Sequence, residues 1–375
     1  MATIEASRTI LVLGMHRSGT SALAGALVKA GVCAGDVSTL YGADQFNEKG
    51  FYEQREVVDI NESLLISGFL NHFPEVVDYG CSDSIEDLNG LGWLFGSWLE
   101  NDDITADSEI DLRIDKFLRR LWNEQQAPSG FVIKDPRLSL TFPVWKKYLG
   151  KPVTLIMVRN PAAVAVSLWR RDQIYDSLSH ALWYRYTHAA MSNAMISDAF
   201  VIDYDRFIEQ PECMMDEIFS WLKLKGLDFA EEKRADGIRF VSPSLRHHHA
   251  PPSVVLPEEI SEFYQEVRKT FPGIPAAYVA RKQFDRESCP WQSVMYLLAR
   301  KTLCKMRERL MHAEMAHQRL INHPLGGAVI SMLSAVKKDP SFGALDYYLL
   351  PESKRLQKGL SSEKDEADSN SNQKT

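Results

Sequence analysis

The sequence predicts a three-layer α/β fold with a central parallel sheet and a helical C-terminal extension. Three observations carry this. Short apolar runs rich in β-branched residues alternate with stretches at helical spacing from Thr9 to Ile202. The first run ends on a glycine-bounded loop that opens directly into a helical stretch. With 45% hydrophobic and 25% charged residues, the 375-residue chain has the average composition of a globular protein, which excludes wholesale disorder and fibrous repeats.

Thr9–Leu13 (TILVL) is an unbroken apolar run closed by Gly14, the pattern of a strand covered on both faces. Ser21–Ala30 follows at helical spacing and stops near Gly31. Glu53–Leu65 and Ile110–Glu124 are further helical stretches, inserted before the second strand, Phe131–Ile133. Two more strands, Val153–Val158 and Phe200–Ile202, continue the alternation, with helices at Leu138–Leu149, Pro161–Arg171 and Leu178–Ile196. The aromatic cluster Trp183–Tyr186 and the pair Met214 and Met215 read as core. The domain reading is an α/β body over 1–285, a helical extension over 286–350 and a tail over 351–375. Within the extension, Trp291–Leu320 contains no Gly or Pro and places Met295, Leu298, Leu303, Met306, Leu310 and Met315 on an imperfect stripe. That stripe suits packing onto the body or, alternatively, contact with a second copy, a partner or a membrane surface. Ser361–Thr375 has no apolar residue but Ala367 and predicts disorder.

Charge and cysteine usage narrow the class. A net charge of −7 offers no overall basic field for nucleic acid. The longest membrane-like stretch, Leu325–Val336, is 12 residues, too short to span a bilayer. Five widely spaced cysteines (Cys33, Cys81, Cys213, Cys289, Cys304), with no C-x-x-C pair, argue against a disulfide framework and a zinc site. The expectation is a reduced, cytoplasmic protein without a metal, peripheral at the membrane if its long helix binds there.

The strongest local signal is Gly14–Ser21, GMHRSGTS, between the first strand and the first helix. A strand, a glycine-bounded loop and a helix N-terminus make a cradle of backbone N–H groups for a phosphate. The spacing is that of a P-loop, yet Thr20-Ser21 stands where Lys-Ser/Thr is required, and the cation is Arg17. A second constellation is VRNPAAVAVS, Val158–Ser167. Arg159 follows a strand, Pro161 suits the first turn of the next helix, and Ser167 lies two turns in, so arginine and serine can clamp one anion from two sides. The three histidines His247–His249 point in different directions on either helix or strand and so make a poor metal site.

A phosphate loop with a displaced cation, followed by an Arg-x7-Ser clamp, resembles the sulfotransferase family. Ile133–Arg137 (IKDPR) is similar to the Lys-Asp-Pro segment of carbohydrate and tyrosyl-protein members. Asn47–Glu53 (NEKGFYE), with Asn61 beyond it, resembles a bacterial segment that usually has proline where this chain has Glu48. Val201–Phe207 (VIDYDRF) and Phe240–His247 (FVSPSLRH) extend the resemblance, which spans roughly residues 9–250. It implies that the donor is 3′-phosphoadenylyl sulfate, with 3′,5′-ADP as product. It further implies that His16, Arg17, Ser18, Gly19, Thr20 and Ser21 hold the 5′-phosphosulfate, that Arg159 and Ser167 hold the 3′-phosphate, and that Arg246 lies near the nucleotide.

Sulfuryl transfer to a hydroxyl builds negative charge on the leaving phosphate oxygen, so a cation is needed there, and Arg17 and Lys134 are the candidates. The hydroxyl needs a general base. Glu53 is the first candidate and Asp135 the alternative, although Asp135 could serve only to orient Arg137; Glu48 is weaker. The expected acceptor is a carbohydrate or glycolipid hydroxyl, with its specificity in Gly68–Ala106 and beyond Arg239. A P-loop nucleotide kinase and a non-catalytic nucleotide-binding scaffold are the competing readings; the kinase would need the Walker lysine that this loop lacks.

Overall fold

The structure is a computed structural model that describes residues 8–44, 47–72, 90–96, 98–123, 129–194, 197–242 and 256–271. All of these belong to the first of two compact units, Met1–Val294. The helix expected at Trp291–Leu320, the tail, Arg246 and His247–His249 lie outside the described residues.

Four strands, β1 (Thr9–Leu13), β2 (Phe131–Lys134), β3 (Val153–Val158) and β4 (Asp198–Asp203), form one sheet in the order β2-β1-β3-β4. Every pairing is parallel, with Leu11 opposite Ile133 on one side and Thr154 on the other. Every residue of β1, β2 and β3 is buried, as strands covered by helices on both faces require.

The helices form the outer layers. On one face α1 (Thr20–Lys29) packs on β1 and β2, joined later in the chain by α8 (Pro211–Leu224) and α9 (Glu231–Phe240). The other face carries α2 (Arg55–His72), α3 (Ser108–Trp122), α4 (Leu138–Leu149) and α6 (Asp176–Ala194), which contact one another in turn. Between them in sequence, α5 (Pro161–Asp172) follows β3 and packs on α6, while α7 (Tyr204–Glu209) follows β4. The last described helix, α10 (Glu258–Arg268), also packs on α6. The architecture is a three-layer α/β fold of P-loop type. None of the described helices is long and apolar enough to cross a membrane.

Several of the expected boundaries move. The second helix begins at Arg55 and not at Glu53, because the preceding residues pair with an earlier loop: Leu40 bridges Gln54, and the Tyr41 amide donates to the Glu53 carbonyl at 2.9 Å. Strands β2 and β4 run on to Lys134 and Asp203, polar ends that an apolar pattern omits. The core readings agree with the sequence: Trp183, Tyr186, Met214 and Met215 have no exposed surface.

One buried polar network ties the second face to the sheet. Asn61, in the middle of α2, donates to Asp135 at 2.8 Å. Its carbonyl oxygen accepts from Thr141 Oγ1 at 2.7 Å and from Trp145 Nε1 at 2.8 Å. Truncating this amide strands three buried partners at once. Asn61→Ala is expected to cost about 3 kcal/mol of stability in urea denaturation; a loss below about 1 kcal/mol would show that the three partners find replacements.

Candidate active site

Because the strands are parallel, their C-terminal ends share one edge, and the loops leaving them converge beside β1, where the chain turns first to β2 and later back to β3. There lies a cleft of about 180 Å³. The loop after β1 shapes one wall. Gly14 has φ +140°, and a Cβ there would come within 2.4 Å of the Met157 carbonyl oxygen. Gly19, with φ +92°, ends the loop against Tyr204, whose ring a Cβ would meet at 2.3 Å. Only glycine fits either place. No side chain caps α1, whose first turn carries no acidic residue, so its amide groups suit an anion.

Arg17 adopts the left-handed conformation, φ 67°, uncommon for a non-glycine residue. Two long-range bonds brace it. Its Nε donates to Ser167 Oγ at 2.8 Å, and Arg159 Nη1 donates to its carbonyl oxygen at 2.8 Å. The sequence-predicted clamp is therefore one assembly in which Arg17 bridges Arg159 and Ser167. Arg159 is fixed further by its guanidinium 4.4 Å above the Tyr204 ring and by Trp183 Nε1 donating to its carbonyl at 2.9 Å. Burial, together with Arg171 and Arg159, pushes the Arg17 guanidinium down to about 10, so it remains a cation at neutral pH.

On the opposite side, Lys134 leaves the end of β2 with 1% of its surface exposed. Its ammonium donates to Ser21 Oγ at 2.9 Å and forms an ion pair with Glu53. Lys134 thus brings a cation to the first turn of α1 from another strand. Glu53 and Lys134 both line the cleft. Asp135 does not. It has no exposed surface, and its carboxylate accepts from Asn61, from the Arg137 amide at 3.1 Å and from Arg137 Nη1 at 2.8 Å. Glu62 holds the other side of Arg137. Burial opposes the charge of Arg137, but Asp135 and Glu62 outweigh it and raise its pKa above the usual arginine value. Glu48 is exposed on the loop before the cleft.

His16, Arg17, Gly19, Thr20, Ser21, Arg159 and Ser167 all line the cleft, whereas Ser18 is turned inward with 1% exposed. Sequence reasoning assigned no role to several others that line it: Lys49, Trp93, Arg171, Tyr204 and Phe240. Lys49 donates to the Phe240 carbonyl at 2.8 Å and to Ser242 Oγ at 3.0 Å, tying the 47–53 loop to the end of α9. Arg171 lies 5.8 Å from the Trp93 ring and pairs with Asp172. The position of Arg171 on the clamp helix, one turn past Ser167, was the available signal; Trp93 had none.

The cleft is lined by six cationic side chains, Arg17, Lys49, Lys134, Arg137, Arg159 and Arg171, and one carboxylate, Glu53. In a chain of net charge −7 this is a local inversion of sign. His16 feels it. Its ring packs 4.7 Å from Trp93, its Nε2 is buried without a hydrogen-bond partner among the described residues, and burial with Arg137, Arg171, Lys134 and Arg17 nearby holds its pKa well below 6.5. A polyanion fits this donor set: it would meet cations, uncapped helix amides and the orphaned imidazole nitrogen.

Because His16 protonates more readily in the unfolded chain than in the folded one, its contribution favours folding above pH 6.5 and is lost as the pH falls below it. Wild-type stability in urea should therefore drop between pH 7.5 and 5.5 more than that of His16→Gln. Equal drops in the two proteins would mean that His16 is not held neutral.

No family model matches the chain, nor does any curated protein. Among solved structures, the chain is similar to the sulfotransferase domain of the Synechococcus PCC 7002 olefin synthase, at 17% identity and TM-score 0.38, covering 68% of this chain and 94% of that one. It is similar to the sulfotransferase domain from the curacin biosynthetic pathway at 14% identity and TM-score 0.39, covering 69% and 96%. Sulfotransferase STF9 from Mycobacterium avium aligns at 16% identity and TM-score 0.34, covering 74% and 77%. What the cleft of this chain can do is read from its own side chains.

Proposed function

We propose that the protein is a sulfotransferase that moves a sulfuryl group from 3′-phosphoadenylyl sulfate to a hydroxyl of a carbohydrate or glycolipid. The observation that carries this reading is the cleft itself: six cations and one carboxylate around an uncapped helix N-terminus at the sheet's C-terminal edge. When bound, 3′-phosphoadenylyl sulfate supplies the sulfuryl group. Arg159 and Ser167, linked through Arg17, suit its 3′-phosphate, and Thr20, Ser21 and Lys134 suit its 5′-phosphosulfate.

Glu53 takes the proton of the acceptor hydroxyl as that oxygen becomes bonded to sulfur. Lys134 and Arg17 oppose the charge left on the phosphate oxygen whose bond to sulfur breaks. The ion pair keeps Glu53 beside Lys134, so the proposed base and the proposed cation share one part of the cleft wall. Asp135 is the weaker base, because its carboxylate is saturated by Asn61 and Arg137 and does not face the cleft. It acts as the residue that positions Arg137. The competing kinase reading has no support at position 20, where threonine replaces the Walker lysine.

Calorimetric titration with 3′,5′-ADP and ATP tests the donor site, and transfer of radiolabelled sulfate to glycan acceptors tests the reaction. Tighter binding of 3′,5′-ADP is expected; a preference for ATP would favour the kinase. Arg159→Ala should weaken 3′,5′-ADP by about 2–5 kcal/mol and leave adenosine 5′-monophosphate much less affected. Equal losses for the two nucleotides would detach Arg159 from the 3′-phosphate.

The two carboxylates separate by a second pair of variants. Glu53→Gln should lower turnover by about 10²–10⁴-fold with 3′,5′-ADP affinity nearly unchanged. Asp135→Asn should instead lower thermal stability, since it weakens a buried ion-pair network. A stable Asp135→Asn protein without turnover, beside an active Glu53→Gln, would transfer the base to Asp135.

A further inference from the structure

We infer that the acceptor binds in a second cavity adjoining the cationic cleft, and that it is a neutral or amine-bearing sugar and not an acidic one. The inference rests on the sulfotransferase reading for the identity of the reaction, but the cavity and its charge stand independently of it. The cavity measures about 560 Å³ and shares Phe51, Glu53 and Arg137 with the cleft. Glu53 therefore lines both spaces, as a group that must reach the acceptor hydroxyl beside the donor is required to do.

The two spaces differ in sign. Against the six cations and one carboxylate of the cleft, the second cavity is lined by three carboxylates, Glu53, Asp59 and Glu62, and one cation, Arg137. Asp135 and Glu62 engage that cation and Glu53 pairs with Lys134, so the excess negative charge rests chiefly on Asp59, which has no ion pair among the described residues, with Arg55 as a further cation over the Tyr41 ring. A nucleotide polyanion is drawn to the first space and repelled by the second. The rest of the wall suits a polyol. Phe51 and the face of Tyr41 not covered by Arg55 offer flat apolar surface, and Ser63 and the carboxylates offer hydrogen-bond partners for hydroxyls.

Tyr41 is held in place by the hydrogen bond that its backbone N–H donates to the Glu53 carbonyl and by the Arg55 guanidinium 4.6 Å over its ring. Burial and the nearby Asp59 raise its pKa, so its phenol remains a hydrogen-bond donor at neutral pH. The sign also serves turnover. Sulfation adds a negative charge to the sugar, so Asp59 and Glu62 favour departure of the product over its retention.

The test uses three probes: p-nitrophenyl β-glucoside, p-nitrophenyl β-glucosaminide with its free amine, and p-nitrophenyl β-glucuronide. Each is titrated by ligand-observed NMR into the full-length protein, with and without saturating 3′,5′-ADP. The glucoside and glucosaminide should bind at least about tenfold more tightly than the glucuronide. Asp59→Lys, at an exposed position outside the cationic cleft, should narrow that gap to about threefold, while 3′,5′-ADP affinity holds or rises because a repulsion toward polyanions is removed. Equal binding of the glucuronide, a gap insensitive to Asp59→Lys, or no glycoside binding to either form would overturn the assignment. Should 3′,5′-ADP fail to bind while the glycosides still sort by charge, the donor reading falls and the cavity's selection against acids is supported.

Discussion

Six cationic side chains meet in one small cleft, and their mutual repulsion is the constraint around which this fold is arranged. Like charges in a partly desolvated space raise the energy of the folded state unless each is given a partner. The chain meets this locally. Lys134 has Glu53, Arg137 has Asp135 and Glu62, Arg171 has Asp172, and Arg159 donates to the backbone carbonyl of Arg17. Burial first, and then Arg171 and Arg159, lower the pKa of Arg17, while Asp172 and Asp44 offset them only in part. A cleft organised in this way is already polarised for an anion and needs little rearrangement to receive one.

Three of those partners, Glu53 for Lys134, Glu62 for Arg137 and the Arg17 carbonyl for Arg159, come from distant parts of the chain, so the cleft depends on the packing of whole layers. Asn61 joins α2 to the end of β2 and to α4 through three hydrogen bonds, and Asp135 passes that order on to Arg137. Ser139, at the start of α4, accepts from the Gly14 amide at 2.9 Å, so the same helix also fixes the beginning of the phosphate loop. Asn193 of α6 in turn donates to the Ser139 carbonyl at 2.8 Å. The loop is therefore positioned from beneath by buried polar contacts, while its glycines let the backbone approach β3 and Tyr204 closely.

Glu53 stands where two spaces of opposite sign adjoin. On the proposed function, a division of this kind would keep a polyanionic donor apart from its acceptor without a moving part, with the one carboxylate of the cationic cleft at the boundary between them. The segment that delivers Glu53 is no regular element; its geometry comes from the pairing of residues 53–54 with residues 40–41 and from the Lys49 tether to the end of α9.

Much of this was legible in the sequence. The runs Thr9–Leu13 and Val153–Val158 are strands with those bounds, because a strand buried on both faces reads as a near-continuous apolar and β-branched run, Thr154 included. Glycine spacing identified the loop from Gly14 to Gly19, since close backbone approach and positive φ leave few alternatives. Arg159, Pro161 and Ser167 were readable as one strand-to-helix junction because they are local. The partnerships were not. Glu53 and Lys134 lie 81 residues apart, Arg17 and Ser167 150 apart, and no periodicity links such pairs. For the same reason Asp135 stayed open as the alternative to Glu53 on paper: both are acids next to recognisable segments. Only the packing of α2 and α4 against the sheet decided that Asp135 spends its oxygens on Asn61 and Arg137 while Glu53 faces the cleft. Local sequence determines backbone form through propensity and burial pattern, but which charge meets which is decided by long-range packing, where a buried carboxylate must take the nearest donors that the assembled layers bring to it.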